Sequence, residues 1–369
     1  MGKRFETLDS FRGLAAIFVV VHHMHYVGSI TELDFFKHSF WFVEFFFILS
    51  GFVLAHGYAW KKNLPFRDYF IARTFRILPL HMFVLFAFIF LEVLKYILYK
   101  SGVHLTVLPF SGNNALSEIL PNAFLLHAWI PSASSISFNA PAWSISIEYY
   151  MYMIFFVTLL FRQKLKYVIW FVISLTFFIL MLTGSEIAEF VLRGLSSFFA
   201  GALTYLVYKN IESSLEKIPR YFFIILEVML LILVGYMISS NVEYKALVMS
   251  LLFSLQVLIF AFEKGWVSSL LKQKPFLYFG KLSYSIYMIH VIIVFNILWV
   301  FIMIDKLFDT KLIPIIDNMP YVDLGLPLYN NILVLSIVAG VIFISGFTYK
   351  FIEQKGQSLG KDIRNFLSK

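Results

Sequence analysis

Arg12 and His23 sit eleven residues apart in the apolar stretch 8–26, LDSFRGLAAIFVVVHHMHY. At about 100° per residue, eleven helical steps return to within about 20° of the starting azimuth, so the two side chains share one face. A rise of ~1.5 Å per residue sets them ~16 Å apart, with Arg12 at one membrane surface and His23 beyond the midplane. An imidazole is costly to desolvate at that depth, which marks His23 as a functional group suited to general-base chemistry. His22 points ~100° away from it.

Three further groups carry chemistry. In Arg73-Thr74-Phe75-Arg76, an i, i+3 pair puts two guanidinium forks on one face, a geometry suited to phosphate. The same residues would equally serve as a cytoplasmic anchor. Ser50-Gly51 interrupts a run of bulky aromatics and fits either close helix packing or the lining of a channel for an extended ligand. Tyr284, Tyr287 and His290 fall at i, i+3 and i+6, a polar stripe that faces a bundle interior or bonds neighbouring helices.

Glu148 follows the external segment about five residues into a span, ~8 Å from the outer surface. His23 lies ~10 Å from the same surface on the same arithmetic. A carboxylate at that depth would fix the tautomer of a neighbouring imidazole, or it would pair structurally with Arg193 or a tyrosine. The other histidines lie at helix ends or in loops, and no spacing among them suggests a zinc site.

These residues must be positioned by membrane helices. The chain has 369 residues, 60% hydrophobic, 14% charged and without cysteine, which excludes a soluble globule, structural disulfides and a cysteine nucleophile. Apolar segments predict an all-α, polytopic protein with ten spans at 10–28, 40–58, 78–99, 143–161, 167–184, 188–208, 221–239, 245–263, 282–304 and 330–350. Most of the 30 Lys and Arg residues fall in alternate loops, including Lys61, Lys62, Arg67, Arg73 and Arg76. That pattern puts both termini in the cytoplasm and argues for topology and against nucleic acid binding. Residues 101–142, rich in Gly, Asn, Ser and Pro, predict a partly folded external lid. Residues 305–329 predict an acidic outer rim. No cleavable signal and no appended soluble domain are expected, so residues 1–369 read as one integral-membrane domain.

Taken in order, LDSFRGLAAIFVVVHH, FFFILSGFVL, RTFRILPLH, PAWSISIEYYMY, FGKLSYSIYMIH and a late FIEQ resemble the membrane-bound acyltransferase family 3. The resemblance runs through almost the whole chain, and the ordered set of motifs is more specific than any one of them. It implies a multi-pass protein of the bacterial inner membrane that moves an acyl group, commonly acetyl, from cytoplasmic acyl-CoA to a hydroxyl of a surface or exported glycan. On the matching positions, His23 and Glu148 would be catalytic. Arg12, Ser50, Arg73 and Arg76 would serve the donor, acetyl-CoA being the expected one, and Tyr284, Tyr287 and His290 the acceptor. Many members carry a single histidine where this chain has His22 and His23. No metal is implied, the lipid bilayer is a partner, and homo-oligomerisation stays open. A transporter exporting a modified metabolite or glycan precursor is the alternative, although paired broken helices and inverted halves are not seen.

Overall fold

A computed structural model describes residues 3–61, 63–103, 105, 107–184, 187–215 and 217–368. Lys62, His104 and Lys369 of the sequence reading lie outside the described residues. A helix occupies each expected segment: α1 (Glu6–His22), α2 (Phe42–Tyr58), α3 (Phe66–Lys100), α4 (Ala142–Leu159), α5 (Gln163–Leu182), α6 (Glu189–Leu215), α7 (Arg220–Ser239), α8 (Lys245–Phe260), α9 (Lys274–Phe308) and α10 (Pro327–Thr348). A π-helical turn, Tyr349–Glu353, leads into α11 (Gln354–Leu367).

Among the described residues, eight helices are long and apolar enough to cross a membrane. The 16-residue α8 is apolar but shorter, and the 17-residue α1 carries Glu6, Asp9 and Arg12. Two helices start earlier than their hydropathy predicts. α3 begins after Pro65 and reaches 35 residues, so Arg67, Arg73 and Arg76 ride on a helix and not in a loop. α9 also has 35 residues and starts with Pro at its first turn, where the missing N–H costs nothing. At ~1.5 Å per residue each is ~50 Å long, well beyond a ~30 Å hydrocarbon core.

The chain divides into two compact units, one of residues 1–49 and 204–347, the other of residues 50–203 and 348–369. In the first, α1 lies along α9 in backbone contact. A Cβ on Gly13 would overlap the Phe279 carbonyl, and one on Gly280 would overlap the Asp9 carbonyl. Without a hydrophobic drive between helices in lipid, such close approach is what joins them. The free N–H groups at the start of α1 find a distant acceptor, since Thr7 N donates to Glu263 Oε1 at 2.9 Å. Ser10 Oγ donates to the Leu271 carbonyl at 2.7 Å. Beyond the far end of α1, Ile315–Ile316 and Met319–Pro320 form a short antiparallel hairpin, and Tyr26 bridges to Val322 in parallel sense.

In the second unit the segment 107–141 is folded back on its own helices. Glu92 of α3, 3% exposed, accepts from Phe110 N at 2.9 Å and Asn114 Nδ2 at 2.7 Å. Glu118 accepts from Ser134 N at 2.9 Å. Trp129 Nε1 and Ser146 Oγ then tie residues 125–129 to α4. At the opposite end of α3, α11 runs antiparallel to the arginine-bearing turns. Cβ atoms on Gly356 and Gly360 would lie 2.6 Å from Pro79 Cγ and 2.5 Å from Phe75 Cβ, and Arg67 Nη1 donates to the Leu367 carbonyl at 2.9 Å. Pro79 cannot donate to the Phe75 carbonyl, so α3 is weakened where α11 splints it.

Candidate active site

Each unit gathers its own set of the expected residues. In the first unit Arg12 is fastened to the start of α9: Nε donates to Ser283 Oγ at 2.8 Å and Nη2 to the Gly280 carbonyl at 3.3 Å, with Asp9 Oδ1 3.3 Å away. Its side chain is 28% exposed, which leaves it reachable from outside the unit.

At the other end of the same helix pair, His23 caps α1. His23 Nδ1 lies 2.9 Å from the Val19 carbonyl oxygen and 3.3 Å from His290 Nε2. His290 Nδ1 lies 2.7 Å from the Tyr287 carbonyl oxygen. His290 is completely buried, whereas His23 is half-buried. His22 packs against Phe40, and its Nδ1 is buried with no hydrogen-bond partner. Of the two adjacent histidines, His23 is therefore the one joined to α9. Tyr287 is buried beside Phe46, ring centroids 5.5 Å apart, while Tyr284 is partly exposed.

In the second unit Ser50, Arg73 and Glu148 form one network. Gly51 makes it possible, because any side chain there would run into the Phe198 carbonyl of α6. Next to it, Ser50 Oγ donates to Glu148 Oε1 at 2.6 Å, and Tyr152 Oη donates to the same oxygen at 2.5 Å. One oxygen of Glu148 therefore accepts two hydroxyl protons, one for each of its lone pairs. Tyr69 Oη donates to the Tyr152 carbonyl at 2.9 Å, holding that turn of α4. Arg73 lies over the rings of Tyr58 and Tyr152 at 5.4 and 5.7 Å and donates from Nη2 to Tyr58 Oη at 3.0 Å. Its Nε is buried and has no hydrogen-bond partner. Arg76, one turn on, is partly exposed.

Gly51 packs closely, the first of the two readings of Ser-Gly, and Ser50 holds Glu148, a role that neither reading gave it. Glu148 has the tyrosine partner that was one of its expected readings, and that tyrosine is Tyr152; Tyr58, Tyr69 and Ser283 were not singled out from sequence. Tyr152 had a signal, since it follows Glu148 at i, i+4 and must share its face. Among the described residues, no group of three or more His, Asp or Glu side chains could hold a metal ion.

A family profile described as an acyltransferase domain matches residues 5–351. Acyltransferase MdmB of Streptomyces mycarofaciens is 32% identical over 114 residues, which cover 31% of this chain and 26% of that protein. Protein 2 in the picA locus of Rhizobium radiobacter is 37% identical over 86 residues, 22% of this chain and 43% of that protein. The chain thus spans about a quarter and under a half of these relatives' own lengths. No solved structure matches it.

Proposed function

The chain belongs to the acyltransferase-domain family, acyltransferase family 3, and from that premise we propose that it is a membrane O-acyltransferase. It takes an acyl group, acetyl being the expected one, from cytoplasmic acyl-CoA and places it on a hydroxyl of a surface or exported glycan. The proposal includes ten spans with both termini cytoplasmic, in a bacterial inner membrane.

The observation that carries the reading is the state of His23. A carbonyl oxygen only accepts, so the contact with Val19 puts the ring proton on Nδ1. In the neutral ring Nε2 is then a bare lone pair, the form a general base requires. It takes the proton of the acceptor hydroxyl as that oxygen attacks the thioester carbonyl carbon. A C–O bond forms, the C–S bond breaks, and the departing thiolate takes the proton back from the imidazolium. The products are the ester and the free thiol of CoA.

Arg73 and Arg76 are proposed to grip the donor phosphates. The unpartnered Nε of Arg73 supports this, because a buried donor without an acceptor is costly unless a ligand supplies one. Arg12 is kept as a proposed donor-binding residue of the first unit, where it fastens α1 to α9. Glu148, which accepts from the Ser50 and Tyr152 hydroxyls, is kept as a proposed catalytic carboxyl group of the second unit. Tyr284, partly exposed, is proposed as an acceptor contact, with Tyr287 buried in its support.

The test is transfer of labelled acetyl from acetyl-CoA to envelope glycan in membranes bearing the wild type or His23→Ala. Alkali-labile glycan label with the wild type alone is expected. Equal label with both, at equal membrane level, overturns His23 as the base. No label with the wild type overturns acetyl-CoA as the donor.

A further inference from the structure

His290 contributes a ring nitrogen to His23 from a position sealed off from any substrate. It has no exposed surface, whereas His23 in front of it is partly accessible. Two carbonyl oxygens decide where the ring protons lie. Val19 O requires a proton on His23 Nδ1, and Tyr287 O requires one on His290 Nδ1, at 2.9 and 2.7 Å. With both rings neutral, each Nε2 is bare. The lone pair of His290 Nε2 then faces His23 Nδ1–H at 3.3 Å, which gives that proton two acceptors from two helices.

Two acceptors do more than one. Val19 lies one turn back on the same helix, so its carbonyl moves with α1 and fixes the tautomer. His290 belongs to α9 and fixes the rotation of the ring about its own axis relative to a second helix. When His23 becomes an imidazolium, its contact with His290 becomes a charge-assisted hydrogen bond.

The same geometry opposes a proton relay. If the Nδ1 proton passed on to His290 Nε2, the lone pair left on His23 Nδ1 would face the Val19 oxygen at 2.9 Å, acceptor against acceptor. The charge therefore stays on His23. We infer that His290 is a positioning residue for the base: it holds the His23 ring so that Nε2 is presented, and it neither touches substrate nor carries the proton away. This rests on the reading of His23 as the base.

The experiment compares His290→Leu and His290→Gln with the wild type in membrane vesicles, with acetyl-CoA as donor. Leu keeps bulk but accepts no hydrogen bond, whereas the amide oxygen of Gln can accept from His23 Nδ1–H. His290→Leu is expected to lower kcat by tenfold or more with the KM for acetyl-CoA within twofold, and His290→Gln to recover most of that loss. Wild-type kcat in His290→Leu, or a loss in His290→Gln equal to that in His290→Leu when both reach wild-type membrane level and melting temperature, overturns the inference.

A readout independent of acyl transfer is the ¹⁵N spectrum of histidine-labelled protein, with the His23 signals identified by their absence in His23→Gln. The wild type should show His23 protonated at Nδ1, with the Nδ1 resonance moved by His290→Leu. A His23 Nδ1 resonance that His290→Leu leaves unmoved overturns the inference whether or not the protein transfers acetyl. If the wild type moves no acyl group while the spectra behave as expected, the donor reading fails and the histidine pairing stands.

Discussion

Gly13 and Gly280 bring α1 and α9 into backbone contact, and the histidines that meet on the same helix pair keep their register. His23 lies ten residues beyond Gly13, and His290 ten beyond Gly280. Equal steps along two helices running the same way deliver both rings to one level, ~15 Å from the glycine contact at ~1.5 Å per residue. Gly13→Ala forces a Cβ into the Phe279 carbonyl, so α1 must withdraw from α9. The expected cost is about 2–3 kcal/mol, with kcat at least tenfold lower in the protein that still folds. Thermal melting and the acyl-transfer rate per folded molecule check both.

Ser50 and Tyr152 share one oxygen of Glu148, and their removal tests whether that carboxylate matters to the reaction. Removing one partner of a buried hydrogen-bonded group costs about 1–3 kcal/mol. Ser50→Ala and Tyr152→Phe are therefore expected to lower kcat by about 10-fold each, and Glu148→Gln by more. Because both single changes act on one oxygen, the double variant should fall short of the product of the two. Steady-state rates for the wild type and the four variants settle it.

Arg73 offers a buried Nε with no partner in addition to the Nη2 that bonds Tyr58. Lys at this position keeps the charge and loses the fork. Arg73→Lys is expected to raise the KM for acetyl-CoA about 10-fold with a smaller change in kcat. An unchanged KM would remove Arg73 from the donor grip.

Glu227 is wholly buried and accepts from Gly265 N at 2.9 Å, Ser268 N at 3.0 Å and Ser268 Oγ. These donors open the short helix Trp266–Leu271. Glu227→Ala strands them and is expected to cost about 3 kcal/mol. Since Glu227 takes no part in the proposed chemistry, activity per folded molecule should hold while the melting temperature in detergent falls.

Much of this fold is legible from hydropathy, because each apolar segment of spanning length did form a helix. Its starts are less so. The turns of α3 that carry Arg67, Arg73 and Arg76 are too polar to register as a span, yet they continue the helix because Pro65 starts it and α11 supports it. The expected stripe of Tyr284, Tyr287 and His290 lies on α9 as spaced, but burial separates its members, and periodicity does not report depth within a bundle.

The grouping of Ser50, Arg73 and Glu148 could not be read from spacing, since it depends on contacts between residues far apart in sequence. Tyr152 was hidden for another reason. In a chain that is 19% aromatic, one more tyrosine on a membrane helix carries little information until its hydroxyl is seen to donate. Residues 101–142 were expected to be partly folded, but what orders them could not be read, because Glu92 and Glu118 act through backbone N–H groups of residues 110 and 134.

The seating of α11 on α3 also sets an order of events during synthesis. Arg67 and the Leu367 carbonyl it binds are separated by 300 residues. At about 5–20 residues per second, translation needs on the order of 15–60 s to span that interval. Through that time the arginine-bearing turns of α3 stand unsplinted at the membrane surface, however early the spans around them insert. The arginines proposed to grip phosphate are thus among the late parts of the protein to mature. A nascent chain halted before Gly356 would present an inserted bundle whose arginine turns lack their support, a form that membrane quality control would meet before any donor does.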